Sequence, residues 1–473
     1  MAALRVLAIM IIGGLVTLGV FADQRERDLD IPIVPAVLGT PDAAAGTWFC
    51  AGGSGAAGAA SVGLDLINVG TEDAAVEIIA IRDDMPGEDR FDVVAAASDR
   101  TVVNLVEQAP DAAWVGAIVE TGSTDVVVEQ TFDGPSGTDR APCATNTATS
   151  LFAADGATRL LAEGEQMTLL LMNPFREDAV VDIDYDTDVG PDSLEAVVVP
   201  ARRVLAIDVN DPVTGVAVAS QIQTTVEVVT GRLVGHRLQV RSGETARGLA
   251  VTPLMQRGAV VSVLPSVRTD LGVFDRIFVT NPSSDDVAEV DLEIVTDGSV
   301  TLDPVELTVR PGRTVVVDAA TESRLASLGE FSIVARSLTG VPVAIGLERQ
   351  AIGSPDVVGG SSAMVGIDSA ANRWVAALDN DQQTIQVVNP SSEAIATVDL
   401  ISVTPEGSSV VQSFELGPGR AQRFDGAAFG SRAVIVVEAS APVVVGRELI
   451  GLTSRLLAGA VILGDPVSAD QLS

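Results

Sequence analysis

The sequence contains no lysine, one histidine (His236) and one tyrosine (Tyr185), and aromatic residues make up only 3% of its 473 positions. Without lysine, every basic side chain is an arginine, which keeps its proton near neutral pH and cannot act as a base. With one imidazole there is no second histidine to complete a metal site, and no cysteine lies near His236 in the chain. A serine nucleophile on a sharp turn would show as GxSxG, and that motif is missing. Ser54, within Gly52-Gly53-Ser54-Gly55, sits in a glycine-rich loop that lacks the lysine of a phosphate cradle. His236 therefore reads as a polar residue of an edge strand, and no catalytic residue is expected.

Cysteine is almost as scarce. Cys50 and Cys143 are the only two, with no CxxC spacing to suggest a metal. In an exported chain they are expected to form one disulfide, whose loop closure contributes on the order of 4 kcal/mol.

Acidic groups are plentiful, with 64 Asp and Glu against 29 basic residues, for a net charge of −35. Such a balance repels nucleic acid and anionic headgroups. The acids are scattered along the chain, which is the pattern of a solvated surface rather than an acidic tail. Apolar residues still make up 47%, enough for a core and against disorder.

Met1 to Ala22 carries one side-chain charge, Arg5, followed by an uncharged run from Val6. This predicts an apolar helix acting as a retained signal anchor, with cleavage as a signal peptide the competing reading. The amino terminus and Arg5 precede the run, and acidic residues follow it, so the remainder is expected outside the cytoplasm. Residues 23–46, with Pro32, Pro35 and Pro41, read as an extended tether.

The rest of the chain is organised by a recurring asparagine. Leu169-Leu170-Leu171-Met172-Asn173-Pro174 is echoed at Asn68, Asn281 and Asn389, at intervals of 105, 108 and 108 residues. An alternating strand starts 8, 8, 9 and 9 residues after each Asn (Val76, Val181, Val290, Val398). An arginine (100, 203, 313, 420) follows at 32, 30, 32 and 31 residues. A fixed order at a fixed period marks tandem repeats, and this period suits whole domains. Short strands separated by Gly, Pro and Asp turns predict an all-β protein of four immunoglobulin-like sandwiches. Their expected bounds are 47–143, 144–253, 254–368 and 369–467. A β-propeller or a strand-swapped array are the alternatives. Pro ends a strand and Asn starts a turn on its own backbone, so each Asn-Pro reads as a corner.

Several stretches resemble an actinobacterial family of exported proteins of uncharacterised function, the DUF5719 type. They are Trp48-Phe49-Cys50, Ala141-Pro142-Cys143, Asn173-Pro174-Phe175 with Ala179-Val180-Val181, Val199-Pro200, and Ala441-Pro442-Val443-Val444-Val445. The chain departs from that pattern at Leu151-Phe152 and Leu264, where aromatic residues often stand. The resemblance implies an envelope protein with one membrane anchor and an external repeat region, and no catalytic residues.

Two constellations remain. Asp184, Asp186, Asp188 and Glu195 resemble a calcium loop, but Val189 stands where the loop needs glycine, so an exposed strand ending in a hairpin is the plainer reading. Glu129, Glu348 and Glu448, with Arg349 and Arg447, follow the last strands of their repeats. In a beaded array they would lie tens of ångströms apart and form surface ion pairs. Trp48 and Trp374, at repeat openings, read as core. The function expected is that of a non-enzymatic scaffold or partner-binding protein of the cell envelope. It would bind the membrane through its N-terminal helix and bind envelope proteins or glycans, with no nucleic acid and no cofactor. The alternative is a carbohydrate-binding or accessory protein of envelope glycan assembly.

Overall fold

A computed structural model describes residues 46–466 apart from 56–57, 86–88, 159–163, 212, 214, 217, 244–245, 271, 297–301, 352–358, 379–382, 431–432, 454–455 and 464. The apolar run at 1–22 and nearly all of the tether lie outside the described residues. Among the described residues no helix is long and apolar enough to cross a membrane.

The described chain is almost entirely β-strand. Its first repeat contains β1 (Gly46–Ser54), β2 (Ser61–Asn68), β3 (Ala74–Arg82), β4 (Asp89–Ala95), β5 (Asp99–Asn104), β6 (Trp114–Thr121), β7 (Val126–Gly134) and β8 (Gly137–Pro142). The second contains β9 (Ser150–Ala153), β10 (Glu165–Asn173), β11 (Ala179–Thr187), β12 (Asp192–Val199), β13 (Arg203–Asp208), β14 (Ile222–Thr230), β15 (Val234–Ser242) and β16 (Ala246–Pro253). The third contains β17 (Val261–Arg268), β18 (Val273–Asn281), β19 (Ala288–Val295), β20 (Val305–Val309), β21 (Arg313–Asp318), β22 (Glu330–Ser337), β23 (Ala344–Ala351) and β24 (Gly359–Val365). The fourth contains β25 (Ala371–Ala377), β26 (Gln383–Asn389), β27 (Ala396–Thr404), β28 (Gly407–Leu416), β29 (Arg420–Asp425), the long β30 (Val434–Thr453), β31 (Leu456–Leu463) and β32 (Asp465–Pro466).

One pairing scheme recurs. In the second repeat, β12-β11-β14-β9 form one sheet and β13-β10-β15-β16 the other; the third repeats it as β20-β19-β22-β17 and β21-β18-β23-β24. The first follows the same order, and in the fourth β30 serves both sheets, pairing with β27 and β25 at one end and β26 and β31 at the other. The central pairings, second strand with fifth and third with sixth, are those of an immunoglobulin sandwich. The outer strands differ. The first strand joins the third and sixth, and the seventh joins the second. These sheets are not the four-stranded meanders of propeller blades. In the first repeat β5 stops at Asn104, whose side chain caps a single helical turn, α1 (Leu105–Gln108).

The core of each repeat lies between its two sheets. In the third, Ile277 and Val279 meet Val290, Leu292, Phe331 and Ile333. Burying each such side chain stabilises the fold by about 1.5–3 kcal/mol. The uninterrupted apolar run at Leu169–Met172 has a second explanation. Leu169 and Leu171 face the core of their own repeat, whereas Leu170 and Met172 pack on Ala51, Ile79 and Ile118 of the first. A sheet covered on both faces needs apolar residues at consecutive positions.

The repeats are therefore not beads. β16 and β24 pair in parallel, joining the second and third repeats in one sheet. The eighth strands β8, β16, β24 and β31 neighbour one another in cyclic order, with β31 returning to β8. The core cluster of the first repeat also takes in Leu238 and Val240 of the second and Val375, Val434 and Val436 of the fourth. Within the described residues the four repeats close a cycle.

Candidate functional site

The recurring asparagines come first, because they position the strands around everything else. Each Oδ1 accepts from the backbone N–H two residues on: Gly70, Phe175, Ser283 and Ser391, at 2.9–3.1 Å. This is the expected turn. Each Nδ2 does more. It donates to a carbonyl further along the turn (Glu72, Glu177, Asp286, Ala394) and to the carbonyl that ends the fourth strand (Ala95, Val199, Val309, Leu416). All four asparagines are buried. They clamp two strand ends together, and both Nδ2 protons are spent within the turn. In the last three repeats the periodic arginine starts the fifth strand opposite the Asn, as Asn173 with Arg203, Asn281 with Arg313 and Asn389 with Arg420; in the first, Asp99 takes that place and Arg100 faces Ile67.

The geometry that sequence reasoning missed lies three residues before each Asn. There Asp65, Leu170, Phe278 and Gln386 stand opposite Glu129, His236, Gly346 and Gly446 of the seventh strand. This one register position faces the preceding repeat each time. Glu129 receives Arg447 Nη2 of the fourth repeat at 3.0 and 2.9 Å. His236 lies 3.4 Å from Gln130 Nε2 and edge-on to Phe132 of the first. Gly346 sits against Ala154 and Asp155 of the second. Gly446 is pressed onto Pro265 of the third, where an added Cβ would come 2.3 Å from the proline ring.

Charged groups lie at or beside this position at the three seams other than that of His236. Glu129 is 0% and Arg447 1% exposed, so theirs is no surface ion pair. Arg140 lies 3.2 Å from Glu129 and also bonds Asp65, which Arg100 approaches at 2.6 Å. Arg349 binds Asp275 of its own repeat at 2.8 Å through two nitrogens and also bonds Glu448 of the fourth. Glu448 further accepts from Ser266 Oγ at 3.1 Å. Glu348 bonds Arg276 and lies 4.0 Å from Arg241 of the second repeat. The expectation of scattered surface pairs is thus overturned for Glu129, Glu348, Glu448, Arg349 and Arg447. Contact between repeats buries Glu129, Glu448, Arg349 and Arg447 and half-buries Glu348, and Glu129 occupies a different register from Glu348 and Glu448. His236 is likewise buried rather than on an exposed edge.

Burial sets the electrostatics here. Desolvation with no compensating charge lowers the His236 pKa to about 4, so the imidazole is neutral. Desolvation pushes Asp139 up to about 7, although it accepts from Val251 N of the second repeat at 2.6 Å. Asp155, desolvated beside Arg237, is raised to about 6. Burial would also raise Glu448, but Arg349, Arg268 and Arg423 outweigh it and hold this carboxylate below its ordinary value.

The remaining expected residues fall elsewhere. Cys50 and Cys143 form the disulfide, beside a bridge from Phe49 to Ala144 that brings the end of the repeat back to its first strand. Hydrogen-bonded bridges alone do this at Phe152–Met255 and Val263–Ile367. Asp184 is exposed on β11, Asp186 pairs with Arg313 at 2.7 Å, and Asp188 accepts from Ser220 and Gln221 in a hairpin. Glu195 lies on β12 at a register shift. These four acids are not gathered around a common point, and no metal-holding group is found among the described residues. Trp48 and Trp374 are buried as expected. Both also border a cavity of about 590 Å³, where the connections at 142–150, 253–259 and 365–369 converge.

Comparison with protein-family models and with curated proteins finds no match. Among solved structures, the crystal structure of Thermotoga maritima 1070 is similar to one stretch, at 20% identity over 23% of this chain and 95% of that chain, with a TM-score of 0.21.

Proposed function

We propose that the chain is a non-enzymatic scaffold or partner-binding protein of the cell envelope. It is exported, and its N-terminal apolar run holds it at the membrane. Each unit is read as an immunoglobulin-like sandwich with exchanged outer strands. One observation carries the reading: the side chains with the most chemical potential are turned away from solvent, His236 buried against Gln130 and Phe132, and the Glu and Arg groups paired with one another between repeats. An enzyme needs such groups facing a substrate. The Cys50–Cys143 disulfide supports an oxidising compartment. The test is protease accessibility in intact cells combined with cross-linking mass spectrometry. The repeats should be cleaved from outside and should cross-link to a recurring envelope partner. Recovery of the repeats in the cytosol would sink the reading, as would turnover of a glycoside or ester substrate by the purified chain.

A further inference from the structure

The stretches that follow the eighth strands share one course. The seventh-strand position that faces the preceding repeat pairs with Pro142, Pro253, Val365 and Leu463 of the eighth strands. Two residues on, Ala144, Met255 and Ile367 bridge back to the first strand at Phe49, Phe152 and Val263, and Asp465 pairs with Val375. Four residues further, Ala148, Ala259 and Ala371 cross to the next repeat, where they meet Leu233, Val343 and Val443. Each of these partners stands three residues before the register position of its own seventh strand (His236, Gly346, Gly446). The three straps so formed line the cavity bordered by Trp48 and Trp374.

The same count in the fourth repeat leads from Asp465 to Ala469, and in the first repeat from Glu129 back to Val126. The crossing position then holds alanine in all four. Val126 pairs with Asn68 and has no second bridge among the described residues. Residues 467–473 lie outside the described residues. They follow Pro466, which pairs with Trp374 on the cavity border. Charge agrees with that destination. The charged residues of the lining are Arg232, Arg257 and Asp368, an excess of one positive charge in a chain of net charge −35. Residues 467–473 carry one charged side chain, Asp470. It follows the crossing alanine directly, as Thr149 does on the cavity wall. The competing occupant of Val126 is Ala45, three residues before Trp48 as Ala371 is before Trp374. Ala45 follows no eighth strand, so it would leave the cavity without a fourth strap, and residues 43–46 bring no charge to it.

We propose that residues 467–473 dock across this cavity as the fourth strap, with Ala469 bridging Val126 and Asp470 facing the positive lining. The strap latches the fourth repeat to the first, the one junction of the cycle that no peptide connection crosses. This goes beyond the scaffold reading and does not rest on it. Two measurements on the purified full chain test it. In amide hydrogen exchange, residues 467–473 should exchange at least about tenfold more slowly than the same sequence as a free peptide. Exchange at the free-peptide rate overturns the proposal. The second measurement is a disulfide trap. Antiparallel bridge partners hold their Cα atoms about 4.5–5.5 Å apart, within the span of about 4.4–6.8 Å that a disulfide accepts. Val126→Cys with Ala469→Cys should therefore cross-link in mild oxidant, read by non-reducing peptide mapping. Leu233→Cys with Ala148→Cys, the equivalent bridge of the first strap, is the positive control. Cross-linking of the control pair but not of Val126→Cys with Ala469→Cys overturns the strap. So does cross-linking of Val126→Cys with Ala45→Cys in its place, which gives the position to the N-terminal stretch. The exchange measurement needs no substitution, so it decides the matter if a cysteine variant misfolds.

Discussion

Inside the third repeat, Ile277, Leu292, Phe331 and Ile333 meet in a cluster that holds no charged side chain. At the seam between the third and fourth repeats, Arg349, Asp275 and Glu448 are as deeply enclosed but are joined by directed ionic hydrogen bonds. The two regions answer different problems. A sandwich interior needs only apolar area of the right volume, since its strands are already ordered by short connections. A seam must select one partner among four similar repeats, and apolar contact discriminates poorly. Buried ion pairs add little net stability, yet a wrong pairing would leave a charge enclosed without a counterion. We read the seam charges as devices of register.

Breaking one seam charge should have the largest effect. Arg447→Met leaves Glu129 buried with only Arg140 nearby. It should cost about 4 kcal/mol, measured by denaturant unfolding. Next comes the clamp that both regions depend on: Asn173→Ala removes three hydrogen bonds, one buried and two half-buried, and should cost about 3 kcal/mol. A pH titration sharpens the comparison further. The neutral His236 is favoured in the fold, so its contribution is complete above about 6.5 and disappears as pH falls towards about 4. That interval of 2.5 units corresponds to about 3 kcal/mol. His236→Gln should remove this component from the stability–pH profile. Asp139 has the opposite sign. Its protonated form is favoured, so its contribution is complete in acid and is lost as pH rises through about 7. The variant should therefore expose a fold that gains stability on acidification. The smallest effect should come from removing both partners. Arg447→Met with Glu129→Leu should stay within about 1 kcal/mol of the parent, while cross-linking should detect misaligned seams. A double variant as unstable as the single one would refute the register reading.

The repeat architecture was legible in the sequence because it is local. The Asn corner, the alternating third strand and the arginine opposite the Asn each follow from residues close together in the chain. The disulfide was legible from cysteine scarcity alone. The seams were not, because Glu129 and Arg447 are 318 positions apart and no local period encodes cyclic closure. Composition misled as well, since an acid-rich chain suggests that every Glu is solvated. Two signals were nonetheless present. Leu169–Met172 is apolar at consecutive positions, which demands cover on both faces, and Asp65 and Glu129 interrupt apolar runs at mid-strand.

Closure of the cycle also constrains how this molecule can change over evolutionary time. An open string of repeats tolerates loss or gain of a unit, since each end remains an end. Here, deleting one repeat would force two mismatched neighbours together, Gly446 without its proline or Arg447 without its glutamate. Adding a fifth would break the return of β31 to β8. The repeats are therefore not interchangeable, because Glu129, His236, Gly346 and Gly446 each meet a different neighbour.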